Sequence, residues 1–244
     1  MQEVMFEIKS NEEIAESIFK MSMQGDASAI KAPGQFINIA LPGLYLRRPI
    51  SVYDYNSSSV TVIYKSVGKG TEKMSVLLKG DRLSVLTGLG NGFDTSKSGR
   101  YPLLIAGGLG TPPMYALLRQ ILSEGKKPSV ILGFNSTKDS FLIDEFKAFG
   151  VDVFITTADG SLGLKGFVTN KMEKISGYTY FYACGPKPML KAVCMLSSSD
   201  GEISMEERMG CGFGACMGCS IMTKSGAKRV CKEGPVFSKE EMIW

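Results

Sequence analysis

Four cysteines near the C-terminus, Cys211, Cys216, Cys219 and Cys231, follow one another as C-x4-C-x2-C-x11-C. If they share one ligand, any fold open to this chain has to bring their sulfurs together. The first three carry the spacing of a plant-type [2Fe–2S] site. A binuclear cluster needs four thiolates converging on two irons, and backbone amides close enough to hydrogen-bond to sulfur, which favours glycine. Gly210, Gly212, Gly214 and Gly218 interleave with the cysteines. The fourth ligand lies beyond an expected hairpin, SIMTKSGAKRV, turning at Ser225-Gly226. Zinc on four cysteines is the alternative. Structural zinc sites usually show two C-x2-C pairs, and here there is one.

Upstream, the hydrophobic pattern divides the chain. Over the first hundred or so residues short apolar runs alternate with turn residues. Val4, Phe6 and Ile8, then Phe19, Met21 and Met23, alternate with polar neighbours, and FINIA, SVTVIY and DRLSVL follow. This predicts a small antiparallel barrel, interrupted by a helix over 71–80 that ends at Gly80. From Tyr101 strand and helix patterns alternate. YPLLIAGG is a continuous apolar run, as a parallel strand buried on both faces requires. Met114, Leu117, Leu118 and Ile121 then form a helical stripe. PSVILGFN, a helix carrying Leu142, Phe146 and Phe149, VDVFITTAD, a helix near 166–175, YTYFYACG and KPMLKAVCML continue the series. Repeated βα units predict an open parallel sheet with helices on both faces.

Composition removes whole classes of function. Among 244 residues there is no histidine, so no histidine base, Ser-His-Asp triad or imidazole-ligated zinc is available. Lys and Arg exceed Asp and Glu by only four (28 against 24), without a basic block, so a nucleic-acid binder is not expected. No apolar run approaches the roughly 18–20 residues that span a bilayer, and the acidic N-terminus does not read as a signal peptide. A cytoplasmic, reducing setting is expected, with the cysteines as thiols or metal ligands. Cys194 reads as a small core hydrophobe; Cys184, closing a strand, reads equally as core or as lining a site.

Two glycine-bearing turns and one arginine pair suggest phosphate or nucleotide contacts. In AGGLGTPPM, Thr111 is placed to cap a helix that starts with Pro112, and its free amides favour an anion. SVGKGTEKM enters a helix, and LRRPIS sets Arg47 and Arg48 before a strand. Singly, the last two read as ordinary surface turns.

Taken in order, R-P-I-S, the Gly-rich loop and helix, GGLGTPP, CGPKPM and the four-cysteine tail resemble the ferredoxin reductase-like flavoprotein family across nearly the whole chain. ERMGCGFGACMGC with KRVCKEGPVF resembles, within it, the electron-transfer subunits of type B dihydroorotate dehydrogenases. The resemblance implies a multidomain β + α/β fold: an antiparallel FAD-binding β-barrel (1–98), a parallel-sheet NAD-binding domain (99–198) and a small C-terminal [2Fe–2S] domain (199–244). It implies that Arg48, Pro49, Ile50 and Ser51 hold FAD, with Ile63, Tyr64 and Lys65 along the flavin and Gly70 and Thr71 on its diphosphate. The family usually has an aromatic where Ile50 stands, which leaves Tyr53 as a candidate to stack on the flavin. Gly107, Gly108, Gly110, Thr111 and Pro112 are expected to line the NAD site, with Cys184, Gly185 and Pro186 at its nicotinamide end. The implied partner is an FMN-containing dihydroorotate-oxidising catalytic subunit, in a heterotetramer of two copies of each chain, with Phe213 and Met217 as candidate interface residues beside the cluster. Related reductases, of ferredoxin:NADP, sulfhydrogenase or oxygenase type, share the layout.

Chemistry independently asks for the middle cofactor. Nicotinamide moves two electrons as a hydride, an iron–sulfur cluster moves one, and a flavin can do both.

Overall fold

The computed structural model describes residues 1–244. The first unit is a closed six-stranded barrel, in the order β1-β2-β5-β4-β3-β6. Its strands are β1 (Gln2–Ala15), β2 (Ile18–Gln24), β3 (Phe36–Ile39), β4 (Arg48–Asn56), β5 (Ser59–Lys65) and β6 (Arg82–Leu89). Closure depends on the length of β1: Gln2 to Glu7 pair with β6, and Glu7 onward pairs with β2 across two register shifts. Alternation puts Phe6, Ile8, Met21, Met23, Val60, Val62, Leu83 and Val85 inside the barrel.

Helix α1 (Lys69–Ser75) is shorter than the 71–80 expected from sequence. Its end is set from outside the segment. Asn11 of β1 donates from Nδ2 to the carbonyls of Met74 (2.8 Å) and Leu77 (3.1 Å), which satisfies acceptors that another helical turn would have claimed.

The second unit is a seven-stranded sheet in the order β10-β9-β8-β7-β11-β12-β15. It begins with β7 (Pro102–Gly107), α2 (Thr111–Ser123), β8 (Ser129–Phe134), α3 (Ile143–Lys147) and β9 (Asp152–Thr157). Next come β10 (Leu164–Lys165), α4 (Val168–Met172), β11 (Tyr180–Cys184), α5 (Lys187–Leu196) and β12 (Gly201–Ser204). After the hairpin β13 (Ser220–Thr223) and β14 (Gly226–Arg229), the edge strand β15 (Val236–Ser238) runs antiparallel to β12. Thus two strands beyond residue 198 belong to this sheet, although the sequence suggested a separate unit from there. GEIS and VFS are too short to announce themselves as sheet members.

Period-two alternation divides the sheet's residues between two cores. Leu104, Ala106, Val130, Leu132 and Tyr182 pack on α2, α3 and the barrel residues Ile18, Tyr53 and Ile63. Leu103, Ile105, Ile131, Phe181 and Ile203 pack on α4, α5 and the segment that carries Cys219 and Cys231. Three barrel residues therefore join the first of these cores while the barrel interior forms its own, and the contact is reinforced by Arg119 of α2, which pairs with Asp54 (2.7 Å) and donates to the Tyr55 carbonyl (3.0 Å).

Candidate functional site: a nucleotide cleft, a cradle on the barrel and a four-thiol loop

Chain order in the sheet reverses at β7, whose neighbours are β8 on one side and β11 on the other. Ligands of open α/β sheets bind in the crevice at such a point, outside the carboxyl ends of the strands. A cleft of about 700 Å³ occupies that position, lined by Gly107, Gly108, Gly110, Gly185 and Pro186 from the two central loops. Phe134, Asn135 and Thr156 line its far side, and Ile18 and Lys65 form the barrel wall. The glycines are required by close approach. A β-carbon on Gly110 would lie 2.1 Å from the Cys184 carbonyl oxygen, and one on Gly107 would lie 2.5 Å from the Met189 sulfur.

Details of this loop differ from the sequence expectation. Thr111 is the first residue of α2, not its cap, and its hydroxyl is buried without a hydrogen-bond partner. Pro112 and Pro113 occupy the next two positions and carry no N–H, so this turn offers an anion fewer amides than a typical helix start. It suits close approach of a flat ring better than phosphate capture. The Thr156 hydroxyl at the end of β9 is likewise buried and unpaired. Unsatisfied buried hydroxyls around a cleft fit a polar ligand such as a nucleotide.

Cys184 presents its backbone, not its thiol. The side chain packs in the core beside Tyr182, and burial pushes the thiol far above its ordinary range. Glu206, which the sequence did not single out, faces the same cleft. It is open to solvent at the mouth, yet burial of its carboxyl raises its pKa. Its position two residues past a sheet strand was invisible while β12 was unrecognised.

On the barrel, the structure brings R-P-I-S and the Gly-rich loop together. Arg48 lies across Gly70 so closely that a β-carbon there would sit 1.9 Å from Nε. Arg48 donates to the Leu46 carbonyl (2.6 Å). This is a cradle that only glycine permits, with a half-exposed guanidinium fitted to a diphosphate. The Thr71 hydroxyl is engaged in folding the loop, accepting from the amides of Val67 (2.9 Å) and Gly68 (3.3 Å). Pro49, Ile50 and Ser51 remain partly accessible on β4, and Lys65 reaches the cleft.

Ile63 and Tyr64 are buried. Tyr64 points into the barrel, donates to Asn11 Oδ1 (2.9 Å) and stacks on Phe19, and burial pushes its hydroxyl up to about 12. Tyr53, the sequence candidate for flavin stacking, is already occupied. Its ring stacks on Tyr115 of α2 at 4.4 Å, and the Lys20 ammonium stands 5.0 Å from its centroid.

The four cysteine thiols form two pairs. The amides of Ala215 (3.2 Å) and Cys216 (3.4 Å) point at Cys211 Sγ, and the Cys211 amide returns to Cys216 Sγ (3.5 Å). The Cys231 amide points at Cys219 Sγ (3.4 Å). No three of the sulfurs surround one ion-sized point. Two pairs match a binuclear cluster in which each iron takes one pair.

Partial burial works against the Cys211 thiolate, but the amides of Phe213, Cys216 and Ala215 outweigh it and bring the thiol down to about 6. Burial, then its contact with Cys219, pushes Cys231 up to about 12. Arg229 steadies the loop by donating to the Gly214 carbonyl (2.6 Å) while paired with Glu233. Asn91 joins the segment to the barrel, donating to the carbonyls of Glu233 (3.0 Å) and Val236 (2.8 Å). Phe213 and Met217 are exposed on the loop.

Comparison with known proteins agrees with these three features. Residues 206–243 match the iron–sulfur cluster binding domain of dihydroorotate dehydrogenase B, and residues 104–195 match the oxidoreductase NAD-binding domain. A solved structure from work on flavin-based electron bifurcation by an NADH-dependent reduced ferredoxin-NADP oxidoreductase superposes with a TM-score of 0.88 at 29% identity, covering 98% of this chain and 90% of the other. An Amycolatopsis cytochrome P450 reductase shares the fold, with a TM-score of 0.70 at 17% identity, over 80% of this chain and 65% of its own. A dihydroorotate dehydrogenase B (NAD(+)) electron transfer subunit of Fusobacterium nucleatum is 41% identical over 94% of each chain. The subunit of that name from Bacillus pumilus is also 41% identical, over 99% of this chain and 98% of its own. With a barrel-and-sheet frame, a nucleotide cleft and a paired-thiol loop in common order, this chain belongs to the family of dihydroorotate dehydrogenase B electron transfer subunits.

Proposed function

We propose that the chain is the electron-transfer half of a dihydroorotate dehydrogenase. It takes electrons that an FMN-containing catalytic subunit removes from dihydroorotate and delivers them, by way of a [2Fe–2S] cluster and FAD, to NAD+ in de novo pyrimidine (UMP) synthesis. When bound, the cluster carries single electrons, the nicotinamide accepts a hydride, and the flavin exchanges one currency for the other.

The observation that carries this reading is how closely the protein's own parts adjoin. The cleft at the ends of β7, β8, β9 and β11 has barrel strand β5 as a wall. The cysteine loop is hydrogen-bonded to barrel strand β3. Chemistry at the cleft and at the thiols can therefore meet across the barrel.

In this reading Cys211 and Cys216 hold one iron and Cys219 and Cys231 the other. Arg48, Gly70 and the Thr71 backbone hold the FAD diphosphate. Pro49, Ile50 and Ser51 line the flavin edge, Lys65 reaches it from the cleft wall, and that wall is backed by Tyr64 from inside the barrel and by Ile63 from the core it shares with the sheet. Gly107, Gly108, Gly110, Thr111 and Pro112 take the NAD nucleotide with Gly185 and Pro186, while Cys184 contributes its backbone. Glu206 is placed to hold a proton or a hydrogen bond beside that ring. The functional units are 1–98, 99–198 and 199–244, the last anchored on the second unit's sheet. Two copies of each subunit assemble in the cytoplasm, and NAD rather than NADP is the acceptor. No helix is long and apolar enough to cross a membrane.

Co-purification from the native cell tests the reading. The expected product is a brown-yellow complex that reduces NAD+ with dihydroorotate, with iron, acid-labile sulfide and FAD in this chain. A complex lacking iron and flavin overturns it. A partner that leaves dihydroorotate untouched supports instead a reductase subunit of ferredoxin–NADP type, the reading favoured by the superposition at TM-score 0.88.

A further inference from the structure

Asn38 interrupts an otherwise apolar strand, FINIA, and its side chain is fully buried. Its register partners are Pro49 of β4 and Leu86 of β6, so it sits beside the R-P-I-S segment. A buried amide among apolar neighbours is costly unless its groups are paired. Only one end of it is. Nδ2 donates to the Cys211 carbonyl at 3.0 Å, while Oδ1 has no partner. Turning the amide over would set two oxygens against each other at that distance, so the donor end is fixed toward the cysteine loop.

The bond lies where the loop turns. Gly212 follows at φ +79°, and a β-carbon on it would fall 2.3 Å from the same Nδ2. That turn aims the next amides at sulfur: those of Ala215 and Cys216 reach Cys211 Sγ at 3.2 and 3.4 Å. Hydrogen bonds to cluster sulfurs are among the factors that set reduction potential, and they favour the more negative, reduced form.

We propose that Asn38 is a positioning residue through which the flavin-bearing barrel sets the reduction potential of the cluster. It pins the Cys211 carbonyl, the Gly212 turn keeps its shape, and the amides stay on Cys211 Sγ. The inference rests on the four cysteines holding a [2Fe–2S] cluster, and iron and sulfide analysis of the unaltered protein tests that separately.

The experiment is Asn38→Ala in the complete complex. Iron and FAD are quantified, and the cluster is followed by electron paramagnetic resonance during a redox titration. The expected result is full FAD content, altered g-values and a lowered cluster potential, with at least about a threefold smaller ratio of reduced to oxidised cluster at a fixed poise. Loss of iron with FAD retained overturns the proposal, because Asn38 then holds the loop together and does not tune the cluster. Unchanged g-values and potential at full iron content overturn it. So does loss of FAD together with iron, which makes Asn38 a structural residue of the barrel. Asn38→Asp, which keeps the shape but carries no N–H when ionised, is run in parallel and is expected to shift the potential in the same direction above the pKa of the introduced carboxyl.

Discussion

Gly110 lies against the Cys184 carbonyl so tightly that a β-carbon on the glycine would be 2.1 Å from the oxygen. That contact closes the floor of the cleft where the strand order reverses, and it joins two loops that are far apart in sequence.

Gly110→Ala must therefore push the two loops apart. Misplacing a bound reactant by about 1 Å can cost roughly 10²-fold in rate. The expected outcome is a loss of that order in kcat/KM for NADH in dye reduction, with the flavin spectrum and content unchanged. Steady-state kinetics beside an absorbance spectrum make the check.

Cys216 is the most exposed of the four thiols and pairs with Cys211. Cys216→Ser is expected to remove the cluster while NADH-to-dye activity through FAD persists. Iron analysis and the visible spectrum report the first, and a diaphorase assay the second. Loss of diaphorase activity with FAD still bound reverses the proposed cofactor order.

Tyr53 joins the barrel to α2 through its stack on Tyr115. Tyr53→Ala leaves a cavity in a shared core and removes an aromatic pair, at a cost of about 3 kcal/mol. Denaturant titration is expected to show that loss while flavin absorbance stays as in the unaltered chain. A shifted flavin spectrum instead returns Tyr53 to the flavin.

Thiol reactivity supplies a pH test. In cluster-free protein Cys211 loses its proton near pH 6, because loop amides favour the thiolate, whereas Cys231 stays protonated to about 12. The thiolate is the nucleophile. Alkylation of Cys211 should thus be slow below pH 6, rise through it and level off by neutral pH, with Cys231 unmodified throughout. Peptide mapping after brief iodoacetamide exposure reads both.

Patterns with a short period were legible from sequence. In YPLLIAGG, Leu103 and Ile105 go to one face and Leu104 and Ala106 to the other, as a strand buried on both sides demands. The cysteine spacing likewise announced a loop that folds back on itself. What stayed hidden depended on distant partners. Nothing near Ser75 says that Asn11 will end α1, and nothing near Tyr53 says that Tyr115 will cover it. The Cys184 thiol was ambiguous because a strand end touches both core and crevice; only the packing beside Tyr182 decides it. Glu206 and Asn38 were missed for opposite reasons. Glu206 follows a strand too short to notice, and Asn38 sat inside an apolar run whose single polar member was the available signal.

The way the cysteine segment is moored to the sheet carries a consequence for engineering. Ser204 and Val236 face each other as paired residues of β12 and β15, so the excursion between them leaves and re-enters at points one strand spacing apart, about 5 Å. A tight turn could bridge that gap. The segment can thus be exchanged as a unit only together with the face it covers: Met205, Cys219, Ile221, Val230 and Cys231 fill the core behind the sheet, so a host needs a matching apolar face as well as a paired edge.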